Sequence, residues 1–185
     1  MTKGETISNE ATWLDIVQYF AASVVLIANM ISVHYLSNII PTIWLSFVAV
    51  PMMDYFSKEY TKNIQGSMRI KNFEKDSRFR IPLYCTIVID TCFWLYMLNC
   101  MSAGSIGQTP FNFISYVVGG ALMGSLATIS GHELFHKRST LLKVIGCIPY
   151  VKFMSTHIHI FHVNFHHKES GIPGVDDIPL NKTYY

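Results

Sequence analysis

The sequence predicts an all-α, multi-pass membrane protein with about four transmembrane helices. Half of its 185 residues are hydrophobic and 14% are charged, whereas soluble domains carry roughly a quarter charged residues. A helix needs roughly 20 apolar residues to cross a bilayer core about 30 Å thick. Four stretches reach or approach that length: 13–36, 39–56, 81–101 and 110–131.

The segments between the predicted spans differ in charge. Residues 57–80, between the second and third spans, contain seven lysines and arginines, whereas residues 102–109, between the third and fourth, contain no charged residue. By the positive-inside rule the basic segment faces the cytoplasm or an equivalent compartment. A chain of four spans then returns to that side after the fourth span. The first span is too long to be a removed signal peptide, and it lacks the small-residue cleavage site that such a peptide needs.

Two features inside the spans are typical of helix packing in lipid. Asp90 lies in the middle of the third span, where an ionisable group is costly and is expected to face the interior with a hydrogen-bonding partner. Gly120 and Gly124 in the fourth span have the GxxxG spacing, which allows close helix approach. We expect residues 1–185 to form a single membrane domain, with a histidine region at 132–167 and a glycine- and proline-containing loop at 168–185.

Charge and cysteine content exclude several classes of function. The 14 basic and 12 acidic residues nearly balance, so the chain lacks the basic surface that nucleic-acid binding needs. The four cysteines form no Cys-x-x-Cys pair, so neither a disulfide framework nor a zinc ribbon is indicated.

Histidines are concentrated directly after the fourth span. Seven of the eight lie between positions 132 and 167, about a fifth of the chain. His132, Glu133 and His136 form H-E-x-x-H on a predicted extension of the span, where positions four apart share one helix face and can bind one metal ion. The eighth, His34, stands alone and is expected to be hydrogen-bonded or at the surface.

A second histidine group follows about 25 residues later. His162, His166 and His167 form H-x-x-x-H-H, and His159 and His157 lie just before it as possible additional ligands. A catalytic zinc ion uses three protein ligands and would leave at least two histidines idle. Imidazole also suits iron, so two iron ions fit the histidine count better, and an iron pair beside the lipid could activate O2 against an apolar substrate.

The two groups resemble the histidine boxes of the membrane alkane hydroxylase family, within the wider superfamily of membrane di-iron desaturases and hydroxylases. The motifs are GHELFHK at 131–137 and HVNFHHK at 162–168. Two flanking segments are also similar to the family: PMMDYFSKEYTKN at 51–63, which resembles its aspartate-bearing segment, and GVDDIP at 174–179, which resembles its acidic-proline stretch. The chain therefore resembles the N-terminal part of a longer protein.

The resemblance implies a monooxygenase that hydroxylates an alkane or acyl chain drawn from membrane lipid, using O2 and electrons from rubredoxin or a similar carrier. It implies five iron ligands, namely His132, His136, His162, His166 and His167. Glu133 would accept a hydrogen bond from a ligand imidazole and orient it. Lys137 and Arg138 could dock an acidic carrier, or could snorkel toward lipid headgroups.

Departures from the family leave alternatives open. Phe161 stands where the family has a glutamate, and the family's third histidine box has no counterpart after His167. The chain could be part of a longer protein, a second polypeptide could supply the missing box, or a metal-free relative could serve as an accessory subunit of a larger membrane complex. A membrane zinc metalloprotease is a further alternative, because H-E-x-x-H alone supplies two zinc ligands and a glutamate base.

Overall fold

A computed structural model describes residues 11–56 and 75–166. The described residues are helical almost throughout and contain no strand, which confirms the all-α prediction. In chain order the helices are α1 (Trp13–Leu36), α2 (Ile40–Trp44), α3 (Val50–Phe56), α4 (Arg80–Ser102), α5 (Pro110–Phe135), α6 (Thr140–Val151) and α7 (Ile158–Phe161). Short 3-10 turns interrupt α1 at Gln18–Phe20 and precede α4 at Ser77–Phe79, and π turns follow α2 at Leu45–Ala49 and α7 at His162–His166.

Three helices in the described residues are long and apolar enough to cross a membrane. They are α1, α4 with its leading turn, and α5. They match the predicted spans 13–36, 81–101 and 110–131. Many large apolar side chains on these helices are exposed, including Val24, Leu95 and Ile114, as expected for surfaces that face lipid rather than water.

The stretch predicted as the second span, 39–56, is helical from Ile40 to Phe56 but consists of three consecutive segments. Pro51 has no N–H, so the helical hydrogen-bond ladder loses a donor just after the π turn Leu45–Ala49. At a rise of about 1.5 Å per residue this stretch reaches about 25 Å, which is less than the bilayer core of about 30 Å. Its role as a span remains a prediction.

The chain divides into two compact units, residues 1–126 and 127–185. In the first unit α1 and α4 run parallel. At one end the Arg78 guanidinium, before α4, donates to the carbonyl oxygen of Ala11, before α1, at 2.7 Å. At the other end Nδ1 of His34 lies 2.8 Å from the Tyr96 hydroxyl, which confirms the hydrogen-bonded role expected for His34. Because α1 ends at one end of this helix pair and α4 begins at the other, the chain between them must return by the length of α1.

The part of α5 in the first unit runs antiparallel to α1. Asn29 in α1 donates to the sulfur of Met123 at 3.1 Å, and Ile39, just beyond α1, packs on Gly119, where an added Cβ would lie 2.7 Å from the isoleucine side chain. The close approach is therefore made by Gly119, whereas an added Cβ on Gly120 would meet nothing within 4 Å. Asp90 is buried, as predicted for an ionisable residue in a span.

Candidate metal centre

The second unit begins with a helical hairpin that depends on two glycines. α5 ends at Phe135 and α6 begins at Thr140, and their backbones touch where Gly131 faces Gly146. A Cβ added to Gly146 would lie 2.6 Å from the carbonyl oxygen of Gly131, and one added to Gly131 would overlap the carbonyl oxygen of Gly146. Because real Cβ atoms essentially never approach closer than 3.0 Å, only glycine allows this contact at either position.

Aromatic packing holds the same hairpin next to the histidines. The rings of Phe135 and Tyr150 stack with centroids 5.2 Å apart, and the Tyr150 hydroxyl donates to the carbonyl oxygen of Thr128 at 2.9 Å. Burial raises the pKa of Tyr150, so the hydroxyl stays protonated and remains a donor. Since Phe135 is fully buried and precedes His136 directly, this packing fixes the helix end that carries His132 and His136.

A sharp turn after α6 brings the chain back toward the hairpin. The backbone N–H groups of Phe153 and Ser155 both donate to the carbonyl oxygen of Tyr150, at 3.2 and 3.1 Å. Met154, between them, has a φ of 53°, the left-handed conformation that usually selects glycine at a helix C-terminus. The turn leads into α7, which carries His162 at its end.

We expect a Met154→Ile variant to be less stable than a Met154→Gly variant by at least about 1 kcal/mol, because the left-handed conformation is costly for residues with a Cβ and worst for β-branched ones. The Met154 side chain is almost fully exposed, so its removal should cost little packing. Thermal unfolding of both variants in the same detergent measures the difference. Equal stability would show that this backbone conformation is not held in the folded protein.

His132, His136 and His162 converge in the second unit. One ring nitrogen from each lies within 4.8 Å of the others, and the ring centroids are 4.8 Å (His132 to His136), 4.3 Å (His132 to His162) and 5.4 Å (His136 to His162) apart. The first two belong to the predicted H-E-x-x-H, where their spacing puts them on one helix face. His162 belongs to the second predicted group, so the structure brings the two groups together.

The ring nitrogens of this histidine cluster are close enough to bind a single transition-metal ion after small ring movements. Nε2 of His132 lies 2.6 Å from Nε2 of His162, so one ring donates its N–H to the lone pair of the other. Ligand nitrogens at about 2.1 Å from one ion lie about 3 to 4 Å apart. Binding would therefore replace the shared proton, widen this pair, and shorten the nitrogen separations that now reach 4.8 Å. His132 and His162 are half-buried and His136 is exposed, which leaves the cluster open on one side.

The other predicted ligands differ in their placement. His157 is exposed, and it immediately precedes α7. His159 lies beside Phe135, with ring centroids 4.8 Å apart, and its buried Nε2 has no hydrogen-bond partner among the described residues. The side chain of His166, and all of His167, lie outside the description, as do the loop 168–185 and most of the basic segment 57–80.

Glu133 points its carboxylate toward a neighbouring cation. Nζ of Lys137 donates to Oε1 of Glu133 at 2.7 Å, across one helical turn, and the Glu133 side chain is 52% exposed. Exposed pairs of this kind contribute little stability. The orienting role predicted for Glu133 toward a ligand imidazole remains a prediction.

Three residues that position the cluster had no role in the sequence interpretation: Gly146, Phe135 and Tyr150. Their contacts join segments about 15 residues apart, and no local periodicity identifies such pairs. The only available signal was a glycine immediately before the first histidine group and another in the next apolar helix. No protein-family model, curated protein or solved structure matches the chain.

Proposed function

We propose that this chain is a membrane metalloprotein in which His132, His136 and His162 bind one transition-metal ion. The observation that carries the proposal is the convergence of three imidazole nitrogens within 4.8 Å, from two segments about 30 residues apart. Neutral imidazole is the commonest side-chain ligand for such metals. The contact between Gly131 and Gly146 supports it, because it holds α6, which leads into the turn toward His162, against the end of α5 that carries His132 and His136.

We further propose that the metal is iron, in a di-iron centre that hydroxylates an alkane or acyl chain. Support comes from the two histidine motifs, which resemble those of the membrane alkane hydroxylases. His166 and His167 would then contribute to the second iron, together with ligands from a further segment or a second polypeptide. When bound, iron would supply the activation of O2 that hydroxylation needs: one oxygen atom would enter a C–H bond and the other would leave as water, with two electrons and two protons consumed.

The chain's own residues would position this chemistry at the membrane. Three candidate spans keep the protein in lipid, which is also where an apolar substrate dissolves. The exposed side of the histidine cluster, at His136, is the side from which O2 and substrate can enter. The buried Phe135 ring stacks on Tyr150 and also lies 6.4 Å from the His132 ring, centroid to centroid, so it provides an apolar neighbour for this ligand.

A four-span topology would place the basic segment 57–80 and the histidine cluster on the cytoplasmic or equivalent side. In its support, α1 and α4 run parallel, so the chain between them returns along the length of α1, a traverse that residues 39–56 would supply. Lys137 and Arg138 would then face the compartment from which an acidic electron carrier approaches.

A zinc hydrolase is the second candidate, favoured by one specific observation. Three imidazoles converging on one point are the ligand number of a catalytic zinc site, with a glutamate, Glu133, next to the first ligand. In such an enzyme the Glu133 carboxylate would break its hydrogen bond with Lys137 and act as a base on zinc-bound water. One zinc per chain and no iron would favour this candidate, whereas iron in the purified protein favours the hydroxylase.

The test of the proposed function is incorporation of labelled oxygen. We expect the protein, purified from its own membrane with any associated chains, to transfer ¹⁸O from ¹⁸O2 into an alkane or a fatty acyl ester when a reduced rubredoxin is supplied. His136→Ala should reduce this product to background, because it removes a ligand from the exposed side of the cluster. The control His34→Ala, in the first unit, should retain it.

Two results would contradict the proposal in different ways. A metal-free protein found in fixed proportion within a larger complex would identify an accessory subunit. A protein that holds iron on its histidines but forms no ¹⁸O product with either substrate would leave the metal site in place and overturn hydroxylation.

A further inference from the structure

Helix α6 has two faces of opposite character. Its small and aromatic residues Gly146, Pro149 and Tyr150 are buried, and the glycine contacts the backbone of α5. On the other side an apolar stripe is exposed. This α6 stripe consists of Leu141 (66% exposed), Val144 (60%), Ile148 (41%) and Val151 (56%).

The spacing of the α6 stripe shows that it is one continuous surface. Its members follow one another by three, four and three residues, the pattern of a single helix face. Isoleucine, leucine and valine side chains on one face are unfavourable in water, since burying such a side chain gains about 1.5–3 kcal/mol. At twelve residues α6 is about 18 Å long, too short to cross a bilayer core of about 30 Å.

The charges around α6 indicate what the stripe meets. From Leu134 to His166 the sequence contains no acidic residue, and the basic residues next to the stripe are Lys143 and Lys152. Lys143 and Lys152 lie on α6 or directly after it, on either side of the stripe in helical projection. Basic side chains beside an apolar helix face are the arrangement of helices that lie in the lipid interface, with the cations toward anionic phosphates.

We propose that α6 is an interfacial membrane anchor whose stripe is buried among lipid acyl chains near the headgroups. The partner is the bilayer itself, with anionic lipids favoured by the basic residues. The consequence concerns the histidine cluster: Gly146, opposite the stripe, touches Gly131, the residue before His132. The depth of α6 in the membrane therefore sets the level of the cluster, which would lie at the boundary between headgroups and acyl chains.

Photocrosslinking in bilayers tests this placement without requiring metal or activity, so it can fail while the proposed function stands. The full chain is reconstituted in nanodiscs of phosphatidylcholine and phosphatidylglycerol, with benzoylphenylalanine in place of Val144 or Ile148. The positive control carries it in place of Leu95, an exposed residue of a candidate span. The polar control carries it in place of Arg138.

We expect lipid adducts at positions 144 and 148 in yields comparable to those at 95 and several-fold above those at 138. Two positions are used so that a local perturbation at one does not decide the result. Crosslinks from both positions to a second copy of the chain or to another protein would overturn the proposal by identifying the stripe as a protein interface. If neither position 144 nor position 148 formed an adduct while position 95 crosslinked to lipid, the stripe would lie in water and the proposal would be overturned.

Discussion

The His162→Ala variant should bind Fe²⁺ or Zn²⁺ at least about 100-fold more weakly than the unaltered chain, since loss of an outer hydrogen-bond partner alone can cost up to about 100-fold. His162 is the one member of the histidine cluster that comes from the second group, and its Nε2 lies 2.6 Å from that of His132. Without it, the H-E-x-x-H pair alone would remain. Competition with a chromophoric chelator, on the full chain in detergent, measures the affinity.

The matched control for this experiment is His157→Ala. His157 is five residues earlier in the same segment, is exposed, and is not a member of the cluster. We expect this variant to bind metal as the unaltered chain does. A variant at His157 that lost as much affinity as the one at His162 would show that the ligands differ from the three named here.

The Gly131→Ala variant should lower both thermal stability and metal affinity. Its new methyl group would overlap the carbonyl oxygen of Gly146, a backbone atom that can move only if the whole of α6 shifts. Overpacking of this kind costs about 1–3 kcal/mol. The shift would also move the chain that follows α6, so His162 would move away from His132 and His136. Thermal unfolding and chelator competition on the same preparation measure the two effects.

The control is Gly120→Ala in the same helix, where an added Cβ meets nothing within 4 Å. Alanine favours a helix over glycine by about 0.5–1 kcal/mol, so this variant should be as stable as the parent or slightly more so, with unchanged metal affinity. If Gly131→Ala behaved as Gly120→Ala does, the close contact between α5 and α6 would be contradicted.

The helical class, and the three of the four predicted spans that match long apolar helices, could be predicted because both follow from local composition. A run of apolar residues long enough to cross a bilayer, such as 110–131, can be recognised from its own sequence alone. The i, i+4 spacing of His132 and His136 similarly places two imidazoles on one face. The second span was harder to judge, since the π turn after Trp44 and the proline at 51 break its helix into segments.

Contacts between separate segments could not be predicted from the sequence. The GxxxG pattern indicated Gly120, whereas Gly119 packs on Ile39, because a one-residue change turns a helix position by about 100°. Which histidine of the second group would join the first depends on the turn at Met154 and on the Gly131 to Gly146 contact. Both are long-range packing results. Of the three candidate histidines after 151 whose side chains are described, His157, His159 and His162, the last converges with His132 and His136.

The most direct test of the account is to locate the metal. Iron added to the full chain in a lipid environment should give, in an anomalous difference map collected at the iron absorption edge, a peak about 2.1 Å from Nε2 of both His132 and His162, with a ring nitrogen of His136 at a similar distance. A map in which those three rings hydrogen-bond only to one another, with iron elsewhere or no bound iron, would contradict the account.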